Sequence, residues 1–318
     1  MSEDINSLFW SKEVFNGAKI REYAKKEGVN PMDFEIQIWV YDTLKVLKEF
    51  SDLDLLFKGG TCIQSLLPLD FQRFSIDLDF NIETRYRTPE FILTKFRELN
   101  DKLENEDLLV PASETRYKTK SSENLVYGKF YPKEYDPISG TVTLYRVVMS
   151  KVVGRNREFV YRDDLIKREI VRGMFTHTQV QINIKHYPPA LDWVLRDIEL
   201  KIRKYPDYKK ELQFKCSSPG DLFADKLIAY RNRREFRDLY DLGMMAKIIA
   251  GSDIAICKQK INYVLGDNKI IRDVVEAIEL SLNSKQYSGY MHGLPREVAP
   301  LIRDRMFYTG LIDVIERI

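Results

Sequence analysis

The sequence has few of the residues that build disulfide frameworks and zinc centres. Its 318 residues include only three cysteines, Cys62, Cys216 and Cys257, and no C-x-x-C pair. An odd number of widely spaced cysteines predicts neither a disulfide framework nor a zinc site, and we expect a protein of the reducing cytoplasm. The three histidines lack a metal-ligand spacing such as H-E-x-x-H, so we interpret them as structural or surface residues.

Long apolar runs and a strong net charge are also missing. No stretch approaches the ~18 apolar residues of a membrane span, and the start, MSEDINSLFW, lacks the basic region and apolar core of a signal peptide. The composition, 44% hydrophobic and 31% charged, is typical of a globular protein and indicates no membrane partner. Because the net charge is only +2, affinity for nucleic acid would have to come from a local patch.

The common phosphate-binding motifs do not occur. The sequence contains no G-x-x-x-x-G-K-[ST], which excludes an ordinary P-loop NTPase. The tripeptide Asp79-Phe80-Asn81 is not D-F-G and no H-R-D catalytic loop accompanies it, which excludes a protein kinase.

One segment, Lys58 to Phe80, nevertheless combines two features that suit phosphate chemistry. Its start, KGGT, places Gly59 and Gly60 where positive φ lets the backbone come close to a ligand. A helix predicted from Cys62 onward would present backbone N–H groups to phosphate oxygens at its N-terminus. Thr61 adds a hydroxyl at the same place.

The end of this segment, SIDLDF, predicts a strand with two carboxylates on one face. Residues i and i+2 of a strand point the same way, so Asp77 and Asp79 project together while Ile76, Leu78 and Phe80 face the other side. Neighbouring carboxylates repel unless a cation lies between them. Hard oxygen ligands suit Mg²⁺, which also takes substrate phosphates. A lone G-G is usually a turn and a lone D-x-D a polar strand end, but the combination is more specific.

The segment resembles the AbiEii family of nucleotidyltransferase toxins, including the MenT-like enzymes. The family motif, a K-G-G-T turn followed by R-F-S-x-D-L-D-F, stands here at residues 58–61 and 73–80. The resemblance implies an NTP-dependent enzyme that uses Mg²⁺ or Mn²⁺ bound by the catalytic residues Asp77 and Asp79. The nucleotide-binding residues that we infer are Lys58, Gly59, Gly60, Thr61, Arg73, Ser75 and Lys226.

A second chemical segment runs from Cys216 to Leu242. Ser218 is a suitable N-cap for a helix with Pro219 at its first position. The AbiEii family places a lysine ahead of an R-D-x-x-D-L ending, and the matching residues are Lys226, Arg237, Asp238, Asp241 and Leu242. The resemblance implies that Lys226 neutralises charge on the transferred phosphoryl group. Asp238 or Asp241 would bind the nucleotide or the second substrate, or orient Lys226.

Helical geometry constrains this second segment. On an unbroken helix with about 100° per residue, Lys226 and Asp238 lie about 120° apart, and Asp241 lies about 60° from Lys226. If Lys226 and Asp238 both face the nucleotide, the helix has to break or curve between them. The alternative interpretation is a helix in which both aspartates pair with nearby arginines.

A third acid is not evident. Nucleotidyltransferases often carry another carboxylate on the strand beside D-x-D. The strand predicted at 177–186 has a polar face of Gln179, Gln181, Asn183 and Lys185. Asn183 is the best match, and it offers a carbonyl oxygen without charge. The carboxylate that would activate the acceptor is therefore in doubt.

The predicted fold class is α/β, or α+β: a small mixed β-sheet of the nucleotidyltransferase type, with flanking helices and a helical C-terminal half. We expect a nucleotidyltransferase domain with N-terminal helices over 1–216 and a helical domain that completes the active site over 217–318. Helices are predicted at 89–105 and near 254–265, 269–283 and 295–317.

The resemblance implies an acceptor such as the 3′ end of tRNA or another RNA, and a cognate antitoxin as partner in a type IV pair. The sequence itself indicates neither. Two basic segments are candidates for RNA binding: residues 146–172 hold eight basic residues against four acids, and residues 226–237 hold five against one. They are equally consistent with a solvated surface that carries internal ion pairs. Two other functions stay open, a catalytically inactive nucleotide- or nucleic-acid-binding protein and a small-molecule nucleotidyltransferase of the antibiotic-modifying type.

Overall fold

Two helices precede the sheet in this computed structural model, which describes residues 17–50, 52–82, 88–105, 110–111, 126–150, 152, 176–204, 212–266, 269–283 and 305–318. They are α1 (Gly17–Glu27) and α2 (Pro31–Phe50). Asn30 caps α2 by accepting the backbone N–H of Met32 at 2.9 Å.

The centre of the fold is a mixed sheet, which confirms the predicted fold class. Its strands are β1 (Leu55–Lys58), β2 (Asp77–Ile82), β5 (Phe130–Asp136), β6 (Thr141–Ser150), β7 (Thr176–Lys185), β8 (Trp193–Ile198) and β9 (Leu212–Ser217). Two short strands, β3 (Val110–Pro111) and β4 (Val126–Tyr127), pair separately. The order across the sheet is β5-β6-β7-β2-β1-β9-β8. The pairs β2–β7 and β1–β9 are parallel, and the other neighbours are antiparallel.

The segment from Lys58 to Phe80, which holds the glycine turn and the two aspartates, lies within a β1–α3–β2 unit at the middle of this sheet. Helix α3 (Gly59–Leu66) begins at Gly59 rather than at the predicted Cys62. Lys58 is still extended, and Gly59, at φ +75°, turns the chain directly into the helix. A single 3₁₀ turn (Leu69–Phe71) follows, and β2 then begins at Asp77.

An aromatic cluster packs behind the two central acidic positions. Phe57 of β1, Phe80 of β2 and Phe214 of β9 are buried, with ring centroids 5.4 to 5.9 Å apart. Such contacts stabilise a sheet beyond the area that they bury. Strand β9 was not predicted, although Leu212, Phe214 and Cys216 alternate with polar residues, which is the period of a half-buried strand.

The remaining helices are α4 (Pro89–Asn105), α5 (Pro219–Arg233), α6 (Phe236–Met245), α7 (Gly251–Leu265), α8 (Lys269–Asn283) and α9 (Arg305–Ile315). The helical C-terminal half is confirmed over the described residues, whereas 295–304 of the last predicted helix lie outside them. Residue 216, the predicted domain boundary, falls within β9. Among the helices that the structure describes, none is long and apolar enough to cross a membrane.

A buried ion pair joins α2 to the sheet. Arg146 of β6 lies 3.0 Å from Asp42 of α2 and donates to Thr43 Oγ1 at 2.9 Å. Burial raises the pKa of Asp42 to about 6, although the charge of Arg146 opposes this shift. Because Arg146 is fully buried, it does not contribute to a surface patch for RNA, contrary to the prediction for the first basic segment.

Candidate active site

The turn between β1 and α3 is built so closely that only glycine fits at its first position. A Cβ on Gly59 would lie 2.2 Å from Asp79 Oδ2, and φ there is +75°. A Cβ on Gly60 would lie 2.8 Å from the Arg73 guanidinium and 3.1 Å from Ser75 Oγ. Because neither glycine has a side chain, the start of the helix lies directly against the strand that carries Asp77 and Asp79. A phosphate-binding turn requires such a close approach of the backbone.

The hydroxyl of Thr61 fastens this turn to β2. It is buried and donates to the backbone oxygen of Asp77 at 2.5 Å. Ser75 Oγ lies 2.8 Å from the same hydroxyl, which can donate its one proton to either oxygen. The backbone N–H of Ser75 is bound by Gln37 Oε1 at 3.2 Å. The prediction that Thr61 and Ser75 bind phosphate stays a prediction, and the contacts give Thr61 a structural task as well.

Asp77 and Asp79 lie on one face of β2, at the middle of the sheet, and both line an open cavity. Leu78 and Phe80 are buried on the opposite face, as predicted, whereas Ile76 precedes the strand and is 42% exposed. Burial and the neighbouring charge of Asp79 raise the pKa of Asp77 above its usual value. A cation placed between the two carboxylates would offset that repulsion.

The polar face of β7 forms the wall beside the acid pair. In the parallel register Asp77 pairs with Gln181 and Asp79 with Asn183. The strand predicted to lie beside D-x-D is therefore its neighbour, and Asn183 lies next to Asp79. Asn183 Nδ2 donates to Asp79 Oδ1 at 3.2 Å, and Lys185 Nζ lies 3.4 Å from the same oxygen. Asp79 therefore has an amide and an ammonium group on one side.

Lys226 lies between two aspartates that follow it along the chain. Its Nζ is 2.8 Å from Asp238 Oδ1 and 2.8 Å from Asp241 Oδ2, and the lysine is 6% exposed. Helix α5 ends at Arg233, Arg234 adopts a left-handed conformation at φ 52°, and α6 begins at Phe236. A break between Lys226 and Asp238 is thus present, and it brings Asp238 against Lys226 rather than into the cavity.

Arginines hold the outer sides of both aspartates, as the alternative interpretation proposed. Arg233 donates to both oxygens of Asp238, at 2.5 and 2.7 Å. Burial alone would raise the pKa of Asp238, but Arg233 and Lys226 outweigh it and hold the pKa below its ordinary value. Arg237, by contrast, pairs with Glu235 at 2.5 Å and lines the cavity.

Arg73 binds Asp241 rather than lying free for a nucleotide. Its guanidinium makes two hydrogen bonds, 2.8 Å to Oδ1 and 2.6 Å to Oδ2, and the side chain is buried. Gln64 donates to Asp241 Oδ1 at 2.9 Å and accepts the backbone N–H of Arg73 at 2.7 Å. Burial alone would raise the pKa of Asp241, but the charges of Arg73 and Lys226 outweigh this effect and lower the pKa. Nucleotide binding by Arg73 stays a prediction, and the group that it is seen to hold is Asp241.

Sequence reasoning missed a second buried network, which reaches Lys58. Lys58 Nζ lies 2.8 Å from Asp225 Oδ2, and the other oxygen of Asp225 lies 2.9 Å from Lys260 of α7. Lys260 is fully buried and also pairs with Asp221 at 2.7 Å. The Asp-x-x-x-Asp spacing of 221 and 225 on one helix face was the available signal, but nothing local points to Lys260.

Many of these groups line one cavity of about 580 Å³. The acid pair and the turn form one part of its wall, and α5 and α6 form another. Its polar lining includes Lys58, Gly59, Gly60, Arg73, Ser75, Asp77, Asp79, Gln181, Asn183, Lys185, Asp225, Lys226, Arg233 and Arg237. Asp238 and Asp241 lie behind Lys226, fully buried.

Two solved structures resemble this one. The structure is similar to that of MenT4, a nucleotidyltransferase toxin from Mycobacterium tuberculosis H37Rv, with a TM-score of 0.53 and 18% identity over 95% of this chain and 88% of that one. It also matches a crystallised H. pylori protein proposed to be a nucleotidyltransferase, with a TM-score of 0.41 and 13% identity over 87% of this chain and 92% of that one.

No curated protein sequence matches the chain significantly. The profile of the nucleotidyl transferase AbiEii toxins of type IV toxin–antitoxin systems, however, matches residues 44–303. That range includes the glycine turn, the acid pair, the polar strand and Lys226 with its two aspartates. The chain therefore belongs to the AbiEii family of nucleotidyltransferase toxins.

Proposed function

We propose that this protein transfers a nucleotidyl group from an NTP to an acceptor hydroxyl, with a divalent cation at Asp77 and Asp79. One observation carries the proposal: a single cavity places two carboxylates on one strand face beside a glycine turn, with Lys226 and Arg233 on another wall. Anionic ligands for a cation and cationic groups for a triphosphate are what nucleotidyl transfer requires.

The donor set suits Mg²⁺ or Mn²⁺. Asp77 and Asp79 offer hard oxygen ligands, and the raised pKa of Asp77 reflects burial and a repulsion that a cation would relieve. No cluster of three acid, histidine or cysteine ligands occurs among the described residues, so water and the phosphates would complete the coordination. The bound ion would neutralise the triphosphate and polarise the reacting phosphorus.

The protein groups position the reacting atoms. The N–H groups at the start of α3 and the ammonium of Lys58 bind phosphate oxygens. The acceptor oxygen forms a bond to the α-phosphorus, the bond to the β-phosphate breaks, and pyrophosphate leaves. Lys226 stabilises the negative charge that develops in this step. Because Asn183 is not a base, the proton of the acceptor passes to solvent.

RNA, and the 3′ end of tRNA in particular, is the acceptor that we propose, with an antitoxin protein as the regulatory partner. The type IV toxin–antitoxin family supports the antitoxin partner. The second basic segment gives little support, since Arg231 pairs with Asp273 at 2.9 Å and Arg233 and Arg237 also pair with acids. A basic surface for RNA would therefore have to come from residues 146–172, most of which lie outside the described residues.

The test is incubation of the protein with Mg²⁺, each α-³²P-labelled NTP in turn, and either bulk RNA or a set of aminoglycosides. We expect label in RNA, and none with EDTA or with Asp77→Asn. Asp54→Asn, which removes an acid paired with Lys215 on the same sheet, is the matched control and should retain activity. Label on the small molecules alone would identify an antibiotic-type enzyme. Nucleotide binding without transfer to either acceptor would identify an inactive binding protein.

A further inference from the structure

One oxygen of the acid pair already has a cationic neighbour. Asp79 Oδ1 lies 3.4 Å from Lys185 Nζ and accepts a hydrogen bond from Asn183 Nδ2 at 3.2 Å. Its other oxygen, Oδ2, lies against Gly59, where a Cβ would come within 2.2 Å. The Oδ1 side of Asp79 is therefore occupied by groups of the protein itself.

The orientation of Asn183 is fixed by its other contacts. Its Oδ1 accepts hydrogen bonds from Thr143 Oγ1 at 3.2 Å and from Gln181 Nε2 at 3.1 Å. This arrangement gives every polar atom a matching partner and turns the amide nitrogen toward Asp79. Asn183 thus presents a donor, rather than an oxygen ligand, to the acid pair.

Lys185 is placed by the fold and not by an incidental surface contact. It lies on the same face of β7 as Gln181 and Asn183, and all three line the cavity. Its backbone oxygen accepts a hydrogen bond from the buried Asn81 at 2.9 Å, which fixes this end of the strand beside β2. Its side chain is 34% exposed, so the ammonium is within reach of both Asp79 and a ligand in the cavity.

Charge decides how many cations this arrangement accepts. Asp77 and Asp79 supply two negative charges, Lys185 supplies one positive charge, and Asn183 supplies none. In sites that hold two metal ions, acidic ligands bridge a pair of ions about 3.5–4 Å apart. Here a second ion on the Oδ1 side of Asp79 would meet the ammonium of Lys185 and the amide hydrogens of Asn183, and the described residues of β7 that face it offer no carboxylate.

We propose that the active site takes a single divalent cation, and that Lys185 and Asn183 occupy the position that a second ion would otherwise take. The inference rests on the proposed function, because it specifies how the same site holds its substrate. Lys185 provides part of the positive charge that a second ion would provide to the triphosphate, and Asn183 holds Asp79 Oδ1 through its amide hydrogen.

Counting bound ions tests this inference without measuring activity. The full chain is dialysed against Mn²⁺ and the α,β-methylene analogue of ATP, CTP, GTP or UTP in turn, and bound Mn²⁺ and bound nucleotide are counted per chain. We expect one of each for the wild type. The doubly substituted chain Lys185→Ala, Asn183→Asp should bind two ions per nucleotide. Lys215→Ala removes a lysine of β9 that pairs with Asp54, and this control should retain one ion.

Each other outcome contradicts a specific step. Two ions per nucleotide in the wild type would overturn the inference while leaving the proposed function intact. One ion in a folded double variant, checked by circular dichroism, would show that Lys185 and Asn183 do not set the number, and would also overturn it. If the wild type binds neither ion nor nucleotide, the proposed function fails and the inference fails with it.

Discussion

Lys226 and Asp238 are twelve positions apart on a segment that is helical on both sides, yet Nζ and Oδ1 lie 2.8 Å from each other. The contact exists because the chain leaves the helical path at Arg234 and starts a new helix at Phe236. A continuous helix would have placed the two side chains about 120° apart. The break is therefore what assembles this part of the site.

The acid pair gives the first prediction. Asp77→Asn or Asp79→Asn should lower the rate of nucleotide transfer at least about 100-fold. Loss of a residue that only hydrogen-bonds to a metal ligand already costs about 10–100-fold, and loss of the ligand itself should cost more. Thermal stability should not fall in Asp77→Asn, because the substitution removes a charge that burial and the neighbouring charge of Asp79 both disfavour, as the raised pKa of Asp77 indicates. Initial rates at several Mg²⁺ concentrations and a thermal melt test both statements. Full activity with unchanged Mg²⁺ dependence in either variant would exclude the assignment.

Lys226 gives the second prediction. Lys226→Ala should lower kcat more than it weakens nucleotide binding, because a charge near the phosphates is most effective when negative charge develops. It should also destabilise the protein by on the order of 3 kcal/mol, since Asp238 and Asp241 then share one cation fewer in a buried cluster.

Single-turnover kinetics, nucleotide titration and urea unfolding separate these effects of Lys226. Arg231→Ala, which breaks a half-exposed pair with Asp273, is the control and should change stability by less than about 1 kcal/mol. A rise in KM alone would show that Lys226 only binds the ground state.

The glycine turn gives the third prediction. Gly59→Ala should cost about 1–2 kcal/mol of stability from its left-handed backbone, and its Cβ would displace the carboxylate of Asp79, which lies 2.2 Å from that position. Transfer should fall steeply as a result. Gly310→Ala is the control, because no atom lies within 4 Å of its Cβ and the helix α9 favours alanine. Equal activity in the two variants would show that Asp79 tolerates displacement.

The buried pair of Asp42 and Arg146 gives the fourth prediction, on pH. In the folded protein the pKa of Asp42 is about 6, against 3.8 for an ordinary aspartate. Between these values the folded state binds more protons than the unfolded state, so the free energy of unfolding falls as the pH rises through this window. At about 1.4 kcal/mol per pKa unit, this contribution is on the order of 3 kcal/mol.

Urea unfolding of the wild type and of Asp42→Asn at several pH values between 4 and 7 measures that contribution. The difference in unfolding free energy between the two proteins should grow with pH in favour of the variant. A difference that is constant across the window would mean that Asp42 titrates normally.

RNA binding gives the fifth prediction. Affinity for RNA should fall steeply with salt, because each phosphate contact releases counterions. The positions of Arg155 and Arg157 lie outside the described residues. Arg155→Ala with Arg157→Ala should reduce the slope of log affinity for RNA against log salt concentration by about two and leave nucleotide binding unchanged. Arg97→Ala with Lys102→Ala removes the same charge from α4 and should have no effect. A flat salt response would favour a small-molecule acceptor.

Local signals explain what could be predicted from the sequence. The alternation of Asp77 and Asp79 depends only on the two-residue period of a strand, and Ser218 caps its helix through a contact to Asp221, three residues away. The break between Lys226 and Asp238 followed from the helical repeat together with the assumption that both face one ligand.

The parts that the sequence did not predict depend on distant contacts. Gln64 and Asp241 are 177 positions apart, and Lys260 reaches Lys58 only through Asp225. No periodicity indicates that Arg73 is committed to Asp241 instead of being free for a nucleotide. The start of α3 at Gly59 was not predicted either, because two successive glycines favour a turn before a helix over the first residues of the helix itself.

The parallel pairing of β1 with β9 determines when during synthesis this site can form. Phe57 lies beside Cys216, so the strand that carries the phosphate turn has to wait for a neighbour about 160 residues later in the chain. A ribosome that has translated as far as β8 has already produced Asp77 and Asp79, but neither Lys226 nor Asp241. Since folding during synthesis starts from the N-terminal part of the chain, an incomplete nascent chain holds Asp77 and Asp79 without Lys226 and Arg233. For a toxin, this order delays catalytic competence until translation of the C-terminal helices.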